Sequence, residues 1–180
     1  MSTSASPVVV VMGPSGCGKT VIGVALAHQL RCRFVEGDDL HPPANVAKMR
    51  AGIALDDEDR RPWLEAIARE IASLGSSGVG GVVSCSALRH RYRAQLSASS
   101  PQVTFVLPRV PYEVLIARVA ARAGHYMPSG LVASQLATLE PPTADEGVVE
   151  VDGTHPLPAL IDELVIRLAQ RGGPAAGSAP

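Results

Sequence analysis

The chain has 180 residues, enough for one compact domain with a full hydrophobic core and little room for a second. With 46% hydrophobic and 18% charged residues it is globular, and a formal net charge of −1 supplies no field to gather nucleic acid or anionic lipid. Three cysteines (Cys17, Cys32, Cys85) without a C-x-x-C pair argue against a disulfide framework or a zinc knuckle and read as incidental thiols in a reducing cytosol.

The β-branched run over 8–12 predicts a strand buried on both faces. It is far too short to span a membrane and no basic segment precedes it, so a cytoplasmic chain with no membrane partner is expected. Past a glycine-rich stretch, Ile22, Ala25, Leu26, Gln29 and Leu30 recur at helical spacing. Residues 33–36 form a second short strand. His41-Pro42-Pro43 breaks the chain, a helical piece follows over 44–50, and the acidic stretch 55–61 reads as a loop with a largely solvated face. Pro62 stands where a first helical position is expected, opening a helix with the stripe Leu64, Ile67, Ala68, Ile71 and Leu74. Further strands are expected over 82–85, 103–107 and 148–151. Further helices are expected over 88–96, from Pro111 through Arg122 to a stop at Gly124, over 129–139, and after a Thr154 cap. Apolar strands alternating with helices predict an α/β domain with a parallel sheet.

The strongest motif is Gly13, Pro14, Ser15, Gly16, Cys17, Gly18, Lys19, Thr20, a full match to G-x-x-x-x-G-K-[ST] between a predicted strand and a predicted helix. Glycines permit the backbone path that turns successive N–H groups onto phosphate, and the following helix adds its positive end. Lys19 brings a compact charge to the β- and γ-phosphates, and Thr20 a hydroxyl to Mg²⁺. Cys17 reads as a small filler of the loop. ATP and Mg²⁺ are therefore the expected cofactors. The sole asparagine, Asn45, has no N-K-x-D context, which argues against a GTPase; the third strand ends Ser84-Cys85-Ser86 without an acid, which argues against motor-type ATPases. Small metabolite and nucleotide kinases remain. In them acids after the second strand serve substrate and metal. Here these are Glu36, a candidate for the magnesium shell, and Asp38, the candidate base or orienting acceptor for an attacking hydroxyl. Asp39 reads as part of a solvated turn.

Taken together, the phosphate loop, Gly37-Asp38-Asp39-Leu40-His41-Pro42, the stretch from Leu55 to Leu64, Cys85-Ser86-Ala87-Leu88-Arg89, Gly124-His125-Tyr126 and Leu139-Glu140-Pro141-Pro142 resemble the small thermoresistant gluconokinases, in order and at matching spacings. That resemblance implies a P-loop, nucleoside-monophosphate-kinase-like three-layer domain with a five-stranded parallel sheet and a lid. It also implies ATP-dependent phosphorylation of D-gluconate at its terminal hydroxyl, and a homodimer. Two positions depart from the family's pattern: Glu36 stands where Asp is usual and Tyr126 where Phe is usual. On this reading residues 1–172 form a single kinase domain, with a lid over about 122–130 and a flexible tail over 173–180. Arg60 is the expected clamp on the substrate carboxylate, by resemblance to an arginine of shikimate kinases, with Arg50 and Arg89 in support. Ser86 and His125 are expected to contact substrate hydroxyls. Arg118 and Arg122, four apart, are expected to share a helix face toward the phosphates, Arg122 at the transferring group. Trp63 is core packing or a pocket wall. A shikimate-like or nucleotide kinase, or a nucleotide-binding regulator without catalysis, are the alternatives.

Overall fold

Short β-branched runs build the sheet. Val8–Val11 forms β1, Arg33–Glu36 β2, Gly81–Ser84 β3, Val103–Arg109 β4 and Val149–Asp152 β5. In this computed structural model, which describes residues 6–121 and 129–172, the strands lie in the order β2-β3-β1-β4-β5 and every neighbouring pair is parallel. The chain moves outward from β1 in one direction to reach β2 and in the other to reach β4. Loops after the strands therefore part at the sheet's C-terminal edge beside β1, where open α/β sheets bind ligands.

Seven helices cover the two faces among the described residues: α1 Lys19–Leu30, α2 Pro43–Arg50, α3 Asp57–Gly75, α4 His90–Ser97, α5 Tyr112–Ala120, α6 Ser129–Thr138 and α7 Leu157–Gly172. Strand alternation divides the core. Val8 and Val10 pack with Trp63, Ile67, Ile71 and Leu96 from α3 and α4. Val9 and Val11 pack on the other face with Ile22 and Leu26 of α1 and Leu160 and Leu164 of α7. A third cluster joins Cys17 of the loop after β1 to Leu115 and Val119 of α5 and Val132 of α6. Each such aliphatic side chain fully buried contributes about 1.5–3 kcal/mol, so the loop after β1 is anchored from below.

Most predicted ends lie within two residues of those observed, with three corrections. First, α3 starts at Asp57, not at Pro62: Asp56 and Asp59 form a reciprocal capping box, with Asp59 N–H to Asp56 Oδ1 at 2.8 Å and Asp56 N–H to Asp59 Oδ2 at 3.1 Å. The acidic residues complement the helix's positive end, and Pro62 is carried inside the helix. Second, Thr154 does not cap α7. Its N–H and its hydroxyl both donate to Asp152 Oδ1, at 2.9 and 2.6 Å, closing an Asx-type turn. Third, the inward face of α1 is Ile22, Gly23, Leu26 and Ala27, while Leu30 is largely exposed. Of the expected lid over about 122–130, residues 129–130 begin α6, and residues 122–128, with Arg122 and His125, lie outside the described residues, as does the expected tail 173–180.

Candidate active site

The loop after β1 follows a path that only glycine permits at two of its turns. Gly13 (φ +124°) and Gly16 (φ +87°) take left-handed conformations that favour glycine, and a Cβ at Gly16 would lie 2.8 Å from the Leu115 carbonyl. Gly13 N–H donates to the Ser86 carbonyl at 3.1 Å, which joins the loop to the segment after β3. Cys17 fills the space beneath, its thiol 3.7 Å from the Met12 carbonyl; burial pushes the thiol's pKa up, which suits an inert filler. α1 begins at Lys19 with no side-chain cap, so its first N–H groups are left for a ligand. Lys19 Nζ folds back to the Pro14 carbonyl at 3.1 Å. From α5, Arg118 donates to the Gly16 carbonyl at 3.3 Å and to the Gly153 carbonyl at 3.0 Å, pinning the phosphate loop to the turn after β5.

Two polar contacts of the site escaped the sequence reading. Gln135 of α6 accepts the Ser15 N–H at 2.7 Å. Ser84, buried at the end of β3, donates to Glu36 Oε1 and accepts the Gly37 N–H at 3.0 Å. A polar residue closing the buried run Gly81-Val82-Val83 was the available signal for Ser84; Gln135 falls in Ser134-Gln135-Leu136, a stretch that matches the family's pattern, but nothing in it pointed to a bond with Ser15.

Glu36, the last residue of β2, accepts the Thr20 hydroxyl at its Oε2 (2.6 Å). A threonine hydroxyl and a carboxylate thus meet at the mouth of the phosphate loop. Both are hard oxygen donors of the kind Mg²⁺ takes when waters and phosphates complete its shell, so the residues fit that ion. Among the described residues no cluster of three or more His, Cys, Asp or Glu side chains forms an all-protein cage.

Asp38 stands on the 3-10 turn Gly37–Leu40 that follows β2. A Cβ at Gly37 would lie 2.0 Å from the Ser84 carbonyl, so only glycine lets this turn press against β3. Trp63 Nε1 donates to the Gly37 carbonyl at 2.7 Å from below. A cavity of about 440 Å³ opens here. Ser15, Lys19, Asp38, His41, Arg60, Trp63 and Ser86 line it, and Val46, Met49, Ile53, Leu55 and Leu131 supply apolar wall. Lys19 and Asp38 therefore share one space, with a guanidinium in reach of the same volume.

The family profile described as an AAA domain matches residues 8–142. The chain is 43% identical over 155 residues to the thermosensitive gluconokinase of Escherichia coli K12, covering 86% of this chain and 83% of that one. It is 44% identical to the gluconokinase of Gluconobacter oxydans 621H, covering 87% and 88%. The chain belongs to the gluconokinase family. The crystal structure of a gluconokinase from Sinorhizobium meliloti 1021 superposes with a TM-score of 0.82 at 44% identity, over 94% of each chain.

Within this gluconokinase framework the arginines expected at the substrate separate. Arg60 lines the cavity, its Nη1 3.3 Å from the Tyr92 hydroxyl and its guanidinium carbon 5.8 Å from that ring's centroid. Arg89 does not line it: Nη1 lies 3.7 Å from Asp57 Oδ2, which holds the side chain in a surface network. Asp57 also accepts from Tyr92 and Arg91, and those two bonds hold its carboxyl below the ordinary carboxylate range. Arg50 is not among the lining residues either. Val46 and Met49 of α2 line the cavity at i and i+3, whereas Arg50, although i+4 from Val46, does not. The acidic run 56–59 is accordingly no plain solvated face: two of its members cap α3, Asp57 holds the arginines, and Asp59 also pairs with Lys48 at 2.6 Å. Trp63 fulfils both of its readings, buried to 1% exposure and forming cavity wall.

The site also shifts the pKa of His41. Burial foremost lowers it from 6.5 to about 4; the Asp38 charge opposes this and the Arg60 charge adds to it. The unfolded chain therefore binds the extra proton and the folded chain does not between those two values. Stability contributed by neutral His41 is complete above pH 6.5 and is lost as pH falls through about 4. Urea denaturation midpoints of the wild type should thus drop across that window, and a His41→Gln variant should show a visibly flatter profile. Equal slopes for the two proteins would contradict a neutral His41.

Proposed function

We propose that this chain transfers the γ-phosphoryl group of ATP to the terminal hydroxyl of D-gluconate, giving 6-phospho-D-gluconate and ADP. The observation that carries the reading is that Lys19 of the phosphate loop, Asp38 and Arg60 line one cavity. The N–H groups of Gly16, Gly18, Lys19 and Thr20, in the loop and at the start of α1, bind the polyphosphate, and Lys19 places its charge against the group in transit. Thr20 and Glu36 would hold Mg²⁺, which when bound neutralises charge on the phosphate oxygens.

Asp38 accepts the proton of the terminal hydroxyl as the new O–P bond forms and the bond from the γ-phosphorus to the leaving oxygen of ADP breaks. Arg60 offers two parallel N–H donors to the substrate carboxylate, a match that a lysine cannot reproduce. Ser86 takes a hydroxyl of the chain. Arg118 steadies the loop, and Arg122 and His125 complete the site on the phosphoryl and sugar sides respectively. Among the described residues no helix is long and apolar enough to cross a membrane; work in the cytoplasm, and as a homodimer, belongs to the same proposal, and light scattering tests the dimer.

The decisive test offers the purified chain ATP and Mg²⁺ with gluconate, shikimate and nucleoside monophosphates in turn, following ADP release. Gluconate should give the dominant rate. Rapid turnover of shikimate or a nucleotide with none of gluconate would overturn the assignment.

A further inference from the structure

His41 is anchored on three sides, and one side chain fixes which of its nitrogens carries the proton. Its backbone N–H donates to the Asp38 carbonyl at 3.3 Å, which closes the turn carrying the candidate base. Its ring stacks on Trp63, centroids 4.2 Å apart and planes 11° from parallel. Beside it Asn45, 3% exposed, sends one Nδ2 hydrogen to the Asp59 carbonyl at 2.7 Å. A carbonyl only accepts, so the amide nitrogen, not its oxygen, must face that side. The same nitrogen lies 3.3 Å from His41 Nδ1 and has a second hydrogen to give. Nδ1 is then an acceptor, and the proton of the neutral ring sits on Nε2.

Nε2 has no protein partner among the described residues, yet it is not one of the sealed polar atoms that lack one, and the ring lines the cavity. The depressed pKa agrees with a ring that stays neutral at working pH. What the turn presents to the cavity is thus a fixed, uncharged N–H donor. The charges of Asp38 and Arg60 both reach it, which sets it among the groups assigned to the two ends of the substrate. A single neutral donor suits an alcohol oxygen better than a carboxylate, for which Arg60 is already present.

We propose that His41 is a specificity-determining residue whose Nε2–H donates to a hydroxyl oxygen of the substrate's carbon chain, between the end that Asp38 takes and the end that Arg60 holds. The inference rests on the gluconate reading above. A site that holds out a fixed donor rejects a ligand lacking the matching oxygen, because the donor is left unpaired.

The test compares wild type, His41→Phe and His41→Gln with gluconate and with a set of mono-deoxy gluconates. Phenylalanine keeps a ring against Trp63 and deletes the donor; glutamine restores an N–H. For His41→Phe, kcat/KM for gluconate should fall by about 10- to 100-fold while the KM for ATP stays near wild type. One mid-chain deoxy analogue should be poor for the wild type and no worse than gluconate for His41→Phe, and His41→Gln should recover part of the loss. A His41→Phe enzyme with unchanged kcat/KM for gluconate, or one that discriminates every deoxy analogue as the wild type does, would overturn the proposal.

If His41→Phe does not fold, nitrogen-15 spectra of the wild-type imidazole decide: an Nδ1–H tautomer, or an Nε2–H resonance indifferent to saturating gluconate, overturns it equally. A wild type inert on gluconate sinks the substrate reading, and this one with it. A wild type active on gluconate whose His41 variants keep its specificity sinks this one alone.

Discussion

Lys19→Ala should leave a folded protein that turns over gluconate about a thousand-fold or more slowly. The structural cost of the change is small. Lys19 Nζ makes one hydrogen bond, to the Pro14 carbonyl at 3.1 Å, in a part-buried position, and such a bond contributes about 0.5–1.5 kcal/mol. On the proposed mechanism the catalytic cost is large, because the ammonium group is the full positive charge offered to the transferring phosphoryl group. Loop N–H groups supply only partial charges, and Arg118 spends two of its donors on the Gly16 and Gly153 carbonyls. Lys19→Arg should recover little, since a wide planar fork does not replace a point charge inside a tight loop. Steady-state rates with melting curves on the same preparations check this. Activity of Lys19→Ala within ten-fold of wild type would remove the lysine from the phosphate role.

How far the sequence alone reaches depends on what each feature requires. The phosphate loop was legible because its backbone path demands glycine at set positions and its chemistry demands one lysine and one hydroxyl; few other sequences do that job between a strand and a helix. The parallel sheet was legible for a similar reason, since β-branched runs such as β1 have no other comfortable place than between two helical layers.

The start of α3 was misread because Pro62 gives a louder local signal than a capping box made of two aspartates inside an acidic stretch. Arg50, Arg60 and Arg89 look alike in sequence. The first lies outside the cavity lining and Asp57 holds the third, neither of which composition reveals. Ser84, Gln135 and Asn45 matter through partners 47, 120 and 14 positions away. Such pairs become visible only once the loops after β1, β2 and β3 gather at one edge.

The acid and the lysine should separate cleanly in kinetics. Asp38→Asn should lower kcat by about 10²- to 10⁴-fold, the range for loss of a positioned acid–base group, and leave the KM for ATP nearly unchanged. Asparagine preserves the volume on the turn Gly37–Leu40 and can still accept a hydrogen bond from the substrate hydroxyl, but it cannot take the proton. On the proposed mechanism ATP is held by the loop after β1 and by α1, whereas Asp38 comes from the turn after β2, which Gly37 N–H ties to Ser84 and to which Trp63 donates. That scaffold does not depend on the Asp38 carboxylate, so the effect should appear in the chemical step.

Glu36→Gln provides the contrast. Its carboxylate meets the Thr20 hydroxyl rather than a substrate hydroxyl, so its loss should raise the Mg²⁺ concentration needed for half-maximal rate more than it lowers the rate at saturating metal. Should Asp38→Asn instead behave like Glu36→Gln, with its defect repaired by excess Mg²⁺, the carboxylate on the turn serves the metal and the hydroxyl proton leaves by another route.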